Sequence, residues 1–400
     1  MVLKVFGESE VGWCAATPPN ETTDEEGRPL IREAGFSAAD PRSPTRRAWD
    51  DPEVAALRER LRRCNGLPGL EIVAPGEIKR ARRIFQRDGF VVVKDLLDPE
   101  RLDAFRAASA RVLEAILAIP GFGGRRYVTE TNRLPHRYSY GTASASRQLL
   151  HEETWAQMID LPTTTPILTA LFGGEDYQVL GAGGDLCLPG AIEYQTLHSD
   201  NREPWTLTQG RLAKARELGI ELRRDEAGEL TARTRQLVFE RVAPRITINF
   251  LMSDQTSENG PIRTIPGTQA RSGSPPTQAE EPDWMRFATI VGAPAGAGIF
   301  RDPRAWHGGT PNVSREIRAM PNVEYAAGWS DEAASPRISM PFEIWRRLSP
   351  HARRISERIR TAPGEWPAGA GVMHPLAAER GKAKAAAGAA SLALERSGEY

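Results

Sequence analysis

The spacing of apolar positions changes along the chain, from helical before residue 175 to strand-like after it. A helical pattern beginning near residue 78 stops at Gly89, and the β-branched run Phe90–Val93 then predicts a strand. Asp98 followed by Pro99 is typical of a helix start, because Asp caps free N–H groups and Pro fits the first turn. The apolar face of the predicted helix that follows consists of Leu102, Phe105, Ala108, Val112, Leu113 and Ile116.

Short strands separated by Gly and Pro dominate the middle of the chain. Helices are predicted at 148–160 and at Thr165–Phe172, and Gly173 and Gly174 end the second. The strands predicted after it are 177–180, 185–188, 191–197, 245–252, 262–265, 288–291, 298–300 and 323–326. Many short strands with turn residues between them favour an all-β sandwich or barrel. We therefore expect a mostly β core with flanking helices.

Composition divides the chain into three predicted parts. Residues 1–75, rich in Pro, Gly and charge, predict a loosely ordered extension with one short helix at 51–64. Residues 76–345 form the main domain, and 346–400 a C-terminal helical extension and tail. Within the main domain, residues 206–243 are interpreted as an insertion with a charged helix and a hairpin near Gly228. We hypothesise that it is a lid or wall of a substrate cleft; a solvated outer helix is the alternative.

Net charge and cysteine content limit the binding partners and the cellular compartment that the sequence favours. The 52 basic and 52 acidic residues cancel, which removes a bulk electrostatic case for nucleic acid or an anionic membrane. No apolar run approaches the roughly 20 residues of a membrane span, and the N-terminus lacks a signal-peptide pattern. The three cysteines lie far apart without CxxC spacing. We expect an intracellular, cytoplasmic protein without a membrane span.

A candidate metal site begins at His198-Ser199-Asp200. In an extended segment, residues two apart point to the same face, so His198 and Asp200 can reach one ion. His307 follows another predicted strand and is the candidate third ligand. Two imidazoles and one carboxylate leave coordination positions open, as Fe(II) requires to bind a co-substrate and O2. The alternative for His198 alone is a structural role on the surface or in the core.

His151 and Glu153 form a competing pair with the same spacing. Their segment is predicted to be helical, where residues two apart lie about 200° apart around the axis, so the side chains diverge. The spacing also differs from the HExxH pattern of zinc enzymes, because Trp155 occupies the last position. We therefore prefer the site built on His198.

Four sequence blocks together resemble the phytanoyl-CoA dioxygenase family of Fe(II)/2-oxoglutarate oxygenases. They are DGFVVVKDLL at 88–97, HSD at 198–200, NGPIRTIPGTQ at 259–269 and WHGGTPNVSREIR at 306–318, framing residues 78–330. The resemblance implies a double-stranded β-helix, the cupin-type jelly roll. It also implies a metal triad of His198, Asp200 and His307, and Arg318, eleven residues after His307, as the anchor for the far carboxylate of 2-oxoglutarate.

The sequence departs from the family pattern near the co-substrate. Gln269 stands where the family usually has His, and Gly309 where a hydroxyl residue is common, so Thr310 is assigned to help hold the co-substrate. Asn249 is assigned to the same cleft by its position. The other candidate cleft residues, again by position, are Tyr138, Tyr140, Trp205 and Trp306, and core packing is the alternative and commoner role of such aromatic residues.

The activity implied by the resemblance is a dioxygenase that uses Fe(II), 2-oxoglutarate and O2 and releases succinate and CO2. Its partner is a small organic substrate. Related halogenases lack the carboxylate that Asp200 supplies, so hydroxylation, or another outcome of hydrogen abstraction such as desaturation, is favoured. Two alternatives stay open: a zinc-type hydrolase or isomerase on the same barrel, and a non-catalytic binding scaffold. The sequence identifies neither the substrate nor the oligomeric state.

Overall fold

A large mixed β-sheet with helices against it forms the centre of the protein. The computed structural model describes residues 9, 11–17, 46–118, 136–144, 148–200, 206–334 and 338–366. Its strands are β1 Trp13–Cys14, β2 Arg47–Ala48, β3 Ile72–Val73, β4 Phe90–Val93, β5 Arg137–Ser139, β6 Tyr177–Cys187, β7 Arg245–Phe250, β8 Arg263–Thr264, β9 Gly298–Arg301, β10 His307–Gly308 and β11 Arg318–Ala327.

The helices lie mainly at the two ends of the chain and in the 206–243 segment. They are α1 Pro52–Cys64, α2 Ile78–Asp88, α3 Pro99–Leu117, α4 Glu153–Ala156, α5 Thr165–Phe172, α6 Gln209–Glu217, α7 Ala232–Arg241, α8 Asp283–Phe287, α9 Phe342–Trp345 and α10 Pro350–Ser356. Short 3-10 turns cover Gln157–Ile159, Thr268–Ala270, Asp331–Ala334 and Glu357–Ile359.

Seven of the described strands form one sheet in the order β3-β4-β9-β7-β11-β6-β5. The β3–β4 pair is parallel and the other pairs are antiparallel. A second, small sheet joins β8 and β10 in antiparallel fashion. The predicted β core with flanking helices is thus confirmed as a large mixed sheet with flanking helices.

The turn from α2 into β4 requires a glycine. Gly89 has φ 81°, in the left-handed region, and its N–H donates to Phe85 O at the end of α2. A Cβ at Gly89 would lie 2.6 Å from Gln269 Oε1, so a larger residue would also displace the Gln269 side chain. All four residues of β4 are buried because both faces of this strand are covered, which explains its unbroken apolar run.

The main hydrophobic core fills one face of the large sheet. There α2, α3, α5 and α10 pack against β4, β6, β7 and β11. Tyr138 and Tyr140 belong to this core, and Tyr140 Oη lies 2.9 Å from Ser109 Oγ on α3. Of the two roles considered for these tyrosines, core packing is therefore confirmed and the cleft is not: strand alternation turns them toward the helices, and Arg137 toward the other face.

The second face of the large sheet looks toward the small sheet and is polar over much of its area. Arg245, Thr247 and Asn249 on β7 alternate with the core residues Ile246, Ile248 and Phe250. The register pairs Thr247 with Arg301 and with Glu324, and Asn249 with Asn322. Polar side chains from three neighbouring strands therefore share this face.

Segment 206–243 is packed against the body of the protein. It contains α6, a turn at Gly228 with an Arg224–Leu230 bridge, and α7, which the sequence analysis did not predict. Lys214 Nζ donates to Gly173 O at 3.0 Å, and Arg304 donates to Phe239 O at 2.8 Å. One side of each helix is therefore packed against the body, and both interpretations of this segment, a wall of the cleft and a solvated outer helix, stay hypotheses.

The described N-terminal residues contact the main body. Trp13 Nε1 donates to Ser314 O at 3.0 Å, and the Trp13 and Trp49 rings meet edge to face with centroids 5.4 Å apart. The predicted helix at 51–64 is present as α1. No helix in the described residues combines the length and apolar character needed to cross a bilayer.

Candidate metal centre

Pairing between two extended segments brings His198 and His307 side by side. Each residue donates its backbone N–H to the other's carbonyl at 3.0 Å, as in an antiparallel ladder, and the imidazole centroids lie 4.3 Å apart. Asp200 N donates to Pro303 O at 2.9 Å, which continues the contact between the segments. The strand predicted at 191–197 is joined to its neighbours by such isolated bridges and is not a regular strand.

Both imidazoles present the same nitrogen to the site. His198 Nδ1 lies 3.0 Å from Thr196 O, and His307 Nδ1 lies 2.9 Å from Ala305 O. A carbonyl can only accept, so each Nδ1 carries the hydrogen. The lone pair of a neutral ring then lies on Nε2, the arrangement that backbone carbonyls commonly impose on metal-binding histidines.

The three predicted ligands converge. His198 Nε2 lies 3.5 Å from Asp200 Oδ1, and His307 Nε2 lies 3.1 Å from Asp200 Oδ2. One ligand atom from each residue falls within 4.8 Å of the others, and they form the metal-ligand group found among the described residues. His151 lies instead in the turn before α4.

Arg301 is part of this centre, and the sequence analysis missed it. Its Nη2 donates to Asp200 Oδ2 at 3.1 Å, and its Nη1 lies 3.0 Å from His307 Nε2. The side chain is 5% exposed, and its Nε has no hydrogen-bond partner among the described residues. Arg301 ends β9, and the only sequence signal for it is a charged residue closing the apolar strand six residues before His307.

Electrostatics keep Asp200 and His307 in metal-binding protonation states. Burial would raise the pKa of Asp200, but the neighbouring His307 and Arg301 outweigh it and hold that pKa well below its usual value. Burial and the Arg301 cation lower the pKa of His307 to about 4. The carboxylate is therefore ionised and the His307 ring neutral at physiological pH, as metal binding requires.

The donor set fits a divalent transition metal. Two neutral imidazole nitrogens and one carboxylate oxygen suit Fe(II), and also Zn(II) and related ions. All three donors reach the site from two adjacent segments. Three protein ligands would leave coordination positions of a bound ion for small ligands.

Arg318, the predicted co-substrate anchor, is a buried cation at the start of β11. Its Nε donates to Gly260 O at 3.0 Å and its Nη1 to Asp185 O at 3.4 Å. Burial lowers its pKa, and no ion pair to it is found among the described residues. A guanidinium held only by carbonyl oxygens keeps donors for an anion.

The turn at Asn259-Gly260-Pro261 and the loop after β10 position the Arg318 side chain. Gly260 has φ 75°, and a Cβ there would lie 3.2 Å from Cys187 Sγ and Thr310 O, so this residue must be glycine for its carbonyl to meet Arg318. Fully buried Asn312 donates from Nδ2 to Cys187 O at 2.9 Å and to Glu316 O at 2.8 Å. These motif residues therefore act by positioning backbone.

A second buried guanidinium, that of Arg137, approaches the same region. Cys187 pairs with Arg137 on one side and with Arg318 on the other, so the three residues form one row across the sheet. Arg137 Nη2 donates to Thr310 O, and a Cβ on Gly309 would lie 2.6 Å from Arg137 Nη1. The missing side chain at Gly309 thus makes room for Arg137, two residues from His307.

The remaining predicted site residues lie in different surroundings. Thr310 Oγ1 donates to Pro261 O at 2.6 Å and is fully buried, so its hydroxyl is already engaged. Asn249 lies on the polar face of β7, and its Oδ1 has no hydrogen-bond partner in the described chain. Trp306 packs with Leu197 and Ile265, which corrects its assignment to the cleft, and Trp205 lies outside the described residues.

Comparison with known proteins supports the resemblance over part of the chain. Residues 231–320 match the family model described as Phytanoyl-CoA dioxygenase (PhyH). The expected family resemblance is thereby confirmed for a segment that holds the NGPIRTIPGTQ and WHGGTPNVSREIR blocks. The match begins inside the segment interpreted as an insertion and does not include His198 and Asp200. No curated protein matches the chain.

Several solved structures are similar to this chain at low sequence identity. The epimerase SnoN, in complex with Fe3+, alpha ketoglutarate and nogalamycin RO, is 15% identical, with 63% of this chain and 84% of that chain covered and a TM-score of 0.43. AviO1 from Streptomyces viridochromogenes Tue57 is 16% identical over 62% and 95%, with a TM-score of 0.40. The non-heme alpha ketoglutarate dependent carbocyclase SnoK is 19% identical over 62% and 83%, with a TM-score of 0.40.

Proposed function

We propose that the protein is an Fe(II)- and 2-oxoglutarate-dependent dioxygenase that hydroxylates a small organic substrate. The observation that carries the proposal is the convergence of His198, Asp200 and His307, with both Nε2 lone pairs directed into one site. The family match over residues 231–320 supports it. Bound Fe(II) and 2-oxoglutarate would supply the oxidising chemistry, activation of O2 with release of succinate and CO2.

In this proposal the protein's own residues orient the reactants. His198, Asp200 and His307 would hold the metal, and the buried Arg318 would bind the far carboxylate of 2-oxoglutarate. Arg137, in the same cross-strand row, adds a second cation to that pocket. Thr310 would contribute through its position in the loop, and Asn249 would offer a free amide oxygen to a bound molecule.

The proposed fold is a double-stranded β-helix closed by the large sheet and the small β8–β10 sheet. Contacts of Arg137, Arg301 and Arg318 across the space between the sheets support it. We further propose that residues 76–345 form the oxygenase domain, with 1–75 and 346–400 as extensions. The 206–243 segment would form one wall of the cleft, because α7 contacts Arg304 in the loop that leads to His307.

The proposal is tested by metal-dependent succinate release from 2-oxoglutarate across a panel of acyl-CoA, amino acid, alkaloid and terpenoid-like substrates. Succinate is the readout because it forms whatever the fate of the substrate. The test also separates the open alternatives. A zinc hydrolase or isomerase would turn over without 2-oxoglutarate, and a binding scaffold would bind metal but release no succinate.

The metal ligands are tested by His198→Ala, Asp200→Ala and His307→Ala. Each should abolish Fe(II) binding, measured by calorimetry under anaerobic conditions, because three protein ligands leave no donor to spare. The fold should persist, since the site lies between the sheets and outside the main core. His151→Ala is the control and should bind Fe(II) as the unaltered protein does. Loss of iron in His151→Ala together with retention in His307→Ala would overturn the triad.

A further inference from the structure

Arg301 holds the same groups that the metal would use. Its guanidinium contacts Asp200 Oδ2 at 3.1 Å and His307 Nε2 at 3.0 Å, two of the three candidate ligand residues. Arg301 Nη1 lies 3.0 Å from both ring nitrogens of His307, so the cation rests against the imidazole ring. A metal ion bound to Asp200 and His307 would therefore stand beside the Arg301 cation and share Asp200 with it.

The position of Arg301 is fixed by the sheet. It ends β9, opposite Thr247 on β7 and Phe90 on β4, and its side chain is 5% exposed. The cation therefore cannot move out to bulk solvent when an ion enters. Asp200 is the ion-pair partner of Arg301 among the described residues. A metal ion bound to Asp200 would therefore share the negative charge that otherwise balances the Arg301 cation.

We propose that Arg301 competes with the metal for Asp200 and His307 and so makes metal binding depend on the anionic co-substrate. The inference rests on the proposed function. With a divalent ion and Arg301 together, the centre carries three positive charges against the single charge of Asp200. One carboxylate of 2-oxoglutarate would reduce this excess of positive charge, while the far carboxylate is assigned to Arg318. Each ligand then raises the affinity of the other by the same factor, as linkage requires.

An opposite role for Arg301 makes the opposite prediction. If its hydrogen bond to Asp200 Oδ2 served mainly to orient the carboxylate for the metal, removing Arg301 would weaken metal binding, as loss of an outer-shell partner usually does. Competition is favoured because Arg301 Nη1 also lies 3.0 Å from both ring nitrogens of His307, which brings the cation close to the ion's place and not only to the carboxylate. Like charges a few ångströms apart in a buried site also repel strongly.

The experiment measures Mn(II) affinity by calorimetry, with and without 2-oxoglutarate, for the full-length protein and its variants. Arg301→Met and Arg301→Gln should each bind Mn(II) without co-substrate about 10- to 100-fold more tightly, within the usual range of such couplings. The gain in Mn(II) affinity caused by 2-oxoglutarate should shrink by the same factor. Arg301→Lys, which keeps the charge, should restore the weaker binding.

Arg245→Met is the matched control. Arg245 is a buried arginine on the same sheet face, and it pairs with Glu324 rather than with a candidate ligand. Its Mn(II) affinity should equal that of the unaltered protein. Unchanged or weaker Mn(II) binding in both Arg301→Met and Arg301→Gln would overturn this inference alone. Failure of the unaltered protein to bind Mn(II) at all would overturn the proposed function as well.

Discussion

Two guanidinium groups, those of Arg137 and Arg318, enter the interior beside Cys187 and near the metal-binding strand. A buried cation without a carboxylate partner is costly, and proteins retain such groups where an anion binds. Arg318 donates to two carbonyl oxygens, and its ion-pairing capacity is unused within the described chain. At the scale of single residues, this is the strongest support for an anionic co-substrate.

Arg318→Ala should raise the 2-oxoglutarate requirement steeply. Loss of one partner of a desolvated charge pair costs about 2–5 kcal/mol, or roughly thirty-fold to several-thousand-fold in affinity. The constant is obtained by titrating 2-oxoglutarate in the succinate assay. Fe(II) binding should survive, because the metal ligands are untouched. Arg318→Lys should restore little, since an ammonium group cannot form the bidentate contact.

Arg315 is the control for this prediction. It lies in the loop before β11 and is half-buried, with its guanidinium 4.4 Å from the centroid of the Trp49 ring. Arg315→Ala should therefore change the 2-oxoglutarate constant only slightly. A severe effect of Arg315→Ala with a mild effect of Arg318→Ala would show that the co-substrate binds elsewhere.

The sequence reveals some residues of the site and hides others for a physical reason. His198 and Asp200 lie two apart in one extended segment, so strand alternation alone predicts that they share a face. Arg301 and Arg137 reach the site from β9 and β5, and their approach depends on how two sheets face each other. That relation depends on long-range packing, which local spacing does not encode.

At the scale of elements, a buried ion pair supports the segment that carries His198. Arg263 on β8 and Glu281 pair at 2.8 Å, and both side chains are 0% exposed. Arg263 also donates to Gln195 O, three residues before His198, and Arg286 donates to the other oxygen of Glu281 at 3.0 Å. This network connects the Gln195–His198 segment to strand β8 of the small sheet.

Glu281→Gln should destabilise the protein by about 3–5 kcal/mol, because it leaves the Arg263 charge buried without its partner. The measurement is chemical unfolding followed by tryptophan fluorescence. Glu280→Gln is the matched control: this neighbouring carboxylate is exposed and only accepts hydrogen bonds from Thr277, so a much smaller change is expected. Equal losses in the two variants would show that the buried pair has no special role.

Element prediction succeeds where local sequence and packing agree. The run Phe90–Val93 between a glycine turn and an Asp-Pro helix start gives its strand directly. The two strands predicted at 177–180 and 185–188 are one strand, β6, because β11 pairs with it across the glycines between them. α7 was not predicted, since much of its helical surface is charged and its buried residues pack on partners distant in sequence.

At the scale of the whole molecule, Asp160 ties the C-terminal helical segment to the body. Its carboxylate accepts hydrogen bonds from Thr165 Oγ1 at 2.7 Å, from His351 Nδ1 at 2.9 Å and from Ser349 Oγ. Thr165 begins α5, whereas Ser349 caps the start of α10. One acidic side chain thus joins two helices that are far apart in the sequence.

The junction at Asp160 should make stability depend on pH in a defined direction. Burial would raise the pKa of Asp160, but its hydrogen bonds from Ser349 and Thr165 and the nearby His351 lower it below the usual value. A carboxyl group with a lowered folded-state pKa stabilises the protein above its unfolded pKa, near 4, and this stabilisation is lost as the pH falls through the folded value.

Asp160→Asn should lower the free energy of unfolding by about 1.5–3 kcal/mol at pH 7, the usual contribution of hydrogen bonds to a charged group, measured by urea unfolding. The gap between variant and unaltered protein should narrow as the pH falls from 7 to 3, because protonation of Asp160 in the unfolded state then increasingly favours unfolding of the unaltered protein. Asp103→Asn, at an exposed position on α3, should show only a small gap at pH 7. A gap for Asp160→Asn that is equally large at pH 7 and pH 3 would mean that its ionised form does not stabilise the junction.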